Sequence, residues 1–167
     1  PLNGVRSGAT DGRWRRRAIE PLRLPGREVL LDVCTGPADV ALEARAAARD
    51  RGRASAARVL GVDFAAAMLR HGWDKVRAAG EQGRIRLVRG DATRLPVHDA
   101  SMDAATIAFG IRNVQQPELA CGELARALRP GGRLAILEFG VPRVPGIRAL
   151  DLWYFKYLVP VVGPTVS

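Results

Sequence analysis

Three apolar runs in this chain each end in an aspartate, and that recurrence limits the fold more than any other feature. Val29-Leu30-Leu31 runs into Asp32, Gly61-Val62-Asp63 ends a second run, and Gly90-Asp91-Ala92 ends a third. The run Val29–Val33 is continuously apolar around its acid rather than alternating, as is Leu134–Leu137. Such strands belong to a parallel sheet covered on both faces. After Asp32 the chain turns through the small residues Cys34-Thr35-Gly36-Pro37-Ala38 and enters a helical stretch, with Pro37 suited to the first helical turn.

Strands are expected near 28–33, 57–62, 85–89, 103–109 and 132–139, and helices near 11–23, 37–50, 64–79, 116–128 and 147–159. Asp11 is the expected N-cap of the first helix, and Pro130-Gly131-Gly132 is expected to stop the fourth helix, 116–128, and turn into the last strand. Alternating strands and helices with right-handed crossovers build an α/β, Rossmann-like doubly wound, mainly parallel sheet with helices on both faces. Ligands of such sheets bind at the carboxyl ends of the strands, where all three aspartates fall.

A chain of 167 residues suits a single domain, 1–167, with 1–24 as an N-terminal helical cap. No apolar run approaches the ~20 residues of a membrane helix. The first seventeen residues are polar and arginine-rich, unlike a secretory signal. Cys34 and Cys121 are isolated thiols, which fits a reducing cytoplasm and argues against a disulfide framework or a zinc site. No metal is expected. The net charge is +9, and 24 of the 26 basic residues are arginine, but only Arg13 and Arg15-Arg16-Arg17 cluster. Charge spread this evenly does not imply a nucleic-acid partner.

The glycines of a dinucleotide site are missing. Only Gly36 stands in the first loop, and Asp63 comes 31 residues after Asp32 instead of about 20. S-adenosyl-L-methionine suits the residues better. Its vicinal diol can be held by the Asp63 carboxylate, its exocyclic amine by Asp91, and a ring nitrogen by the Ala92 N–H. Asp32 is placed to hold the ammonium, and amides near Ala38 and Asp39 the carboxylate. Phe64 and Met68 would contact adenine. Each has a structural alternative: Asp63 as a helix cap, Asp91 as a cap of the turn before Leu95-Pro96, and Met68 as core.

From Trp14 to Glu138 the chain resembles the bacterial menaquinone/ubiquinone-biosynthesis C-methyltransferase family. Phe109-Gly110-Ile111-Arg112-Asn113-Val114 is similar to its F-G-[IL]-R-N-V segment, and Arg126 to Phe139 to its R-x-L-[KR]-P-G-G-x-x-x-x-L-E-F signature. Pro1-Leu2-Asn3, Ser7-Gly8 and Asp11-Gly12-Arg13-Trp14 resemble its N-terminal signature. The resemblance implies methyl transfer from S-adenosyl-L-methionine to a ring carbon of a prenylated quinol, with Pro37, Asp63, Asp91, Ala92 and Ala108 at the cofactor. It also implies a chain lacking the extreme N-terminus and cut after the fifth strand.

The sequence departs from the family where Pro37, Ala38 and Ala108 replace the usual threonine, glycine and serine. Arg112 and Asn113 are the candidates for the acceptor side, with Arg112 stabilising phenolate charge; a structural ion pair is its alternative. His71 and His98 read as surface residues. The aromatic segment 150–160 suits a prenyl tail, peripheral contact at the inner face of a membrane, or packing on the sheet alike. Other readings are a methyltransferase for a different small acceptor and a cofactor-binding module without activity. Oligomeric state is left open.

Overall fold

Five strands make one sheet in the computed structural model, which describes residues 14–17, 19–22, 28–50 and 57–138. They are β1 (Val29–Val33), β2 (Arg58–Asp63), β3 (Ile85–Arg89), β4 (Met102–Ala108) and β5 (Leu128–Leu137). Their order is β3-β2-β1-β4-β5, and every pairing is parallel. The chain winds outward from β1 to β3, then crosses back to place β4 on the other side of β1. The carboxyl ends of β1 and β4 therefore frame the switch point where such sheets bind ligands.

Residues 14–17 and 19 are helical (α1) and lead into a 3-10 turn, Glu20–Leu22. The remaining helices are α2 (Asp39–Asp50), α3 (Ala66–Ala78) and α4 (Pro117–Ala127), the last beginning with proline in its first turn. Val40, Ala41 and Ala44 of α2 and Leu69 and Val76 of α3 cover one face of the sheet, joined by Ile19 and Leu22. Ala120, Leu124 and Ala127 of α4 pack on Leu31, Val33, Ala105 and Ile107 on the other face. Both faces of β1 are thereby buried, which is why its sequence does not alternate. At the edge, β3 does alternate, with Ile85 and Leu87 inward and Arg86 and Val88 outward. Among the described residues β5 pairs only with β4, and Leu134 and Ile136 are exposed on it.

Three local expectations change. Pro37 lies in a turn rather than in α2, because Ala38 has a φ of +63° and breaks the helical path before Asp39. β5 begins at Leu128 instead of after Pro130-Gly131-Gly132. Met102 pairs with Leu128 and Ala104 with Arg133, so the Pro-Gly-Gly segment is looped out as an irregularity within the strand. The sheet pairing of β5 ends at Leu137, not at residue 139. The Asp11 cap, the expected helix at 147–159 and the aromatic segment 150–160 lie outside the described residues.

A buried ion pair sets the position of α2. Arg45 Nε donates to Glu81 Oε2 at 2.8 Å with both side chains 5% exposed, and Arg45 Nη1 donates to the Ala57 carbonyl at 2.8 Å. Arg49 pairs with the other oxygen of Glu81. The Glu81 carbonyl accepts the N–H groups of Arg84 and Ile85, so the cluster ties α2 to the starts of β2 and β3. Glu81→Ala withdraws the counter-charge from a buried guanidinium and is expected to cost about 3–5 kcal/mol. Urea unfolding reads this as a lowered midpoint at unchanged slope.

Candidate functional site

Asp32 ends the apolar run of β1 and is 1% exposed. Its Oδ1 accepts the Thr106 hydroxyl at 2.7 Å, and its Oδ2 accepts the Thr35 hydroxyl at 2.6 Å. Thr106 is its partner across the β1–β4 pairing. Burial raises the Asp32 carboxyl to about 6, against the lowering effect of the two hydroxyls, and the charges of Asp63 and Asp39 add to the rise. Asp32 thus sits beneath the loop, with both oxygens engaged.

The loop after β1 is closed from β2. The Thr35 N–H donates to the Val62 carbonyl at 3.1 Å, and the Gly36 N–H donates to Asp63 Oδ2 at 2.8 Å. Asp63 Oδ1 accepts the Ala65 N–H at the start of α3, so the same carboxylate guides both the loop and the helix. Cys34, Gly36 and Ala38 all have positive φ, as does Phe109 just past β4. Three of these four carry side chains, so the backbone is strained where the loops converge.

Close approaches explain two glycines. A Cβ on Gly61 would lie 2.6 Å from Leu87 Cδ2 and 2.9 Å from Thr35 Oγ1; one on Gly110 would lie 2.3 Å from Cys34 Cβ. The Cys34 thiol is pushed up to about 11 by burial and by the charges of Asp63, Asp32 and Asp91.

Asp91 follows β3 on the exposed rim. Its Oδ1 accepts both the N–H and the hydroxyl of Thr93 at 2.8 Å, which holds its carboxyl below the usual range. This is the turn-forming role weighed above as the alternative, and Oδ2 is not used in it. Ala92 is buried in the same core cluster as Ala120, Leu124 and Ala127 of α4. Phe64 is 69% exposed and Met68 49%, and the Arg89 guanidinium lies 5.4 Å from the Phe64 ring centre. Ala108 is half-buried at the end of β4. The space above Gly36 is open, since a Cβ there would meet nothing within 4 Å.

Carboxylates, a loop with an open face and two large exposed apolar side chains therefore converge at one end of the sheet. Those acceptors fit a nucleoside with a diol and an amine to donate, and the apolar rim fits a purine. Arg112 and Asn113 fall in a 3-10 turn, Ile111–Asn113, immediately beyond. Arg112 Nη1 donates to Glu138 Oε1 at 3.0 Å, so the ion pair named as its alternative is present. His71 and His98 are exposed, as expected. Thr35, Thr106 and the Cys34–Gly110 approach had no role in the sequence reading. The one available signal was a threonine inside the apolar run of β4.

The strand order is that of the class I S-adenosylmethionine-dependent methyltransferase fold. A methyltransferase structure from Aquifex aeolicus, described as SAM-dependent, superposes with a TM-score of 0.66 at 20% identity, over 78% of this chain and 66% of that one. The chain belongs to the ubiE/COQ5 methyltransferase family, whose model matches residues 2–167. It is 42% identical to the ubiquinone/menaquinone biosynthesis C-methyltransferase UbiE of Syntrophotalea carbinolica, over 99% of this chain and 67% of that protein. It is 40% identical to the demethylmenaquinone methyltransferase of Thermus thermophilus, over 99% of this chain and 72% of that protein. The chain thus spans about two thirds of the length of these curated relatives, and less than half to about two thirds of the solved structures it matches.

Two outcomes follow from this geometry. Because Asp32 titrates near 6 in the folded chain and near 3.8 when unfolded, its contribution to stability is full below about pH 4 and is lost as pH rises through 6. Asp32→Asn is expected to remove that fall, of order 3 kcal/mol, when parent and variant are compared by denaturant melts across this window. Gly110→Ala drives a Cβ into Cys34 and is expected to cost about 2 kcal/mol or more. Adding Cys34→Gly removes the clashing atom and relieves the positive φ, so the double variant should melt above Gly110→Ala alone.

Proposed function

We propose that the protein transfers a methyl group from S-adenosylmethionine to a ring carbon of a prenylated quinol, demethylmenaquinol or the corresponding ubiquinol precursor. The observation that carries this reading is the convergence of Asp32, Asp63 and Asp91 on the loop beside the F-G-I-R-N-V segment. Their combined negative field, which also raises the Cys34 thiol, favours a ligand bearing positive charge. S-adenosylmethionine carries a sulfonium and an ammonium, and it supplies an activated methyl group. The names of the curated relatives supply the acceptor class.

In this reading Asp63 holds the ribose diol, Asp91 and the Ala92 N–H hold adenine between Phe64 and Met68, and Gly36 and Pro37 let the methionine part approach the loop. Asp32 acts from below, by fixing the loop through Thr35 and by balancing the ammonium. Ala108 contributes contact at the end of β4. Methyl transfer forms a carbon–carbon bond as the sulfur–methyl bond breaks, and the ring then loses a proton. The protein must align the two carbons and favour the phenolate. Arg112, oriented by Glu138, is placed to stabilise that oxyanion, with Asn113 beside it.

A prenylated acceptor resides in lipid, so the proposal includes peripheral contact with a membrane from the cytoplasmic side. No helix among the described residues is long and apolar enough to cross one. The Arg112–Glu138 pair favours one further reading, in which Arg112 is a strut and the acceptor is a different small molecule.

Thermal unfolding with and without S-adenosylhomocysteine tests the cofactor half. At a ligand concentration about 100 times Kd the parent should gain about 2.7 kcal/mol, and Asp63→Ala should gain far less. A cooperative melt that the ligand does not move overturns the site. An acceptor series of demethylmenaquinol, a demethylated ubiquinol precursor and an unrelated phenol then tests the second half. Arg112→Gln is expected to lower kcat by roughly a hundredfold without changing S-adenosylhomocysteine binding.

A further inference from the structure

The connection 90–101 between β3 and β4 contains no helix or regular strand, yet it carries Asp91 and Ala92. Stretches of this length without secondary structure are uncommon in domains of this size and need another source of order. Here that source is one arginine on a neighbouring helix. Arg126 forms a two-pronged pair with Glu123, Nε to Oε1 at 2.7 Å and Nη2 to Oε2 at 2.8 Å. From that fixed position Nη1 donates to the Val97 carbonyl at 2.9 Å and to Asp99 Oδ1 at 2.6 Å, and Nη2 donates to the Leu95 carbonyl at 3.3 Å. Glu123 Oε2 also accepts the Leu95 N–H at 2.7 Å. The Ala100 and Ser101 N–H groups then donate to the carbonyls of Arg126 and Ala127 at 2.9 Å.

The head of the loop is held by packing. Ala92 and Leu95 are buried in the same core cluster as Ala120, Leu124 and Ala127 of α4. Pro96 folds back over Gly90, where an added Cβ would lie 3.0 Å from Pro96 Cδ and 2.8 Å from Val62 Cγ1. The loop is therefore bolted to α4 at its tail and has little freedom at its head.

We propose that Arg126, oriented by Glu123, is a positioning residue for the adenine end of the site, setting where Asp91 and the Ala92 N–H stand. The inference rests on the cofactor reading above. It extends it by making base selectivity depend on a side chain of α4 that does not touch the ligand. It also gives one helix two duties, because α4 follows directly from the turn that carries Arg112 and Asn113.

The test is calorimetric titration with S-adenosylhomocysteine and with S-inosylhomocysteine, which replaces the exocyclic amine by a carbonyl. The parent should prefer the adenosine compound by roughly tenfold or more, through Asp91. In Arg126→Met/Glu123→Gln, which removes both charges together, that preference should fall toward unity. Arg126→Lys should restore part of it. Asp99→Asn, which removes one exposed arm of the clamp, should reduce it slightly and serves if the double variant does not fold. An unchanged preference in the folded double variant, or in Asp99→Asn where only that variant folds, overturns the proposal. A parent that binds neither compound overturns the cofactor reading instead, and this inference with it.

Discussion

Asp32 sits one residue before β1 ends its pairing with β4 at Val33, and its two oxygens serve two different elements. One accepts from Thr106 on the neighbouring strand, the other from Thr35 in the loop. A carboxylate removed from water is costly unless its lone pairs are engaged, so the strand pairing and the loop conformation are energetically coupled. With Thr35 held, its N–H meets the Val62 carbonyl, Gly36 comes within reach of Asp63, and Asp63 in turn orients the start of α3. The carboxyl ends of β1, β2 and β4 are thereby locked in one arrangement.

Backbone strain accumulates around the same point. Cys34, Ala38 and Phe109 hold left-handed conformations that favour glycine, while Gly61 and Gly110 are placed where no Cβ would fit. Such conformations persist only where surrounding contacts over-determine them. Main-chain bonds hold the backbone there, from Thr35 N–H to the Val62 carbonyl, from Ala38 N–H to the Thr35 carbonyl and from Phe109 N–H to the Leu137 carbonyl, while the Arg45–Glu81 pair fixes α2 and the Arg126–Glu123 pair holds the β3–β4 connection. Arginine suits both places, because its planar fork satisfies a carboxylate and backbone carbonyls together.

Much of this was legible beforehand. The continuous run of β1, the aspartates at the carboxyl ends of the first three strands and the helix near 116–128 each have a local cause, and each is where the pattern placed it. The end of the Pro37 turn was misjudged because a positive φ at Ala38 has no local signature when the residue is not glycine. Looping out of Pro130-Gly131-Gly132 was equally invisible, since it follows from pairing Leu128 with Met102 across the sheet. Arg112 was readable as a residue of the F-G-I-R-N-V segment, but not its bond to Glu138, which lies 26 residues away.

The division has a simple physical origin. Periodicity, chain direction and the position of an acid at the end of an apolar run are properties of consecutive residues, and they were enough to define a parallel α/β sheet with its carboxyl-end aspartates on one side. Which oxygen meets which hydroxyl depends on strand register, and register is settled by packing between residues distant in the chain. Asp32 and Thr106 are 74 positions apart; nothing in either neighbourhood requires the other, and only the folded sheet brings the hydroxyl to the carboxylate.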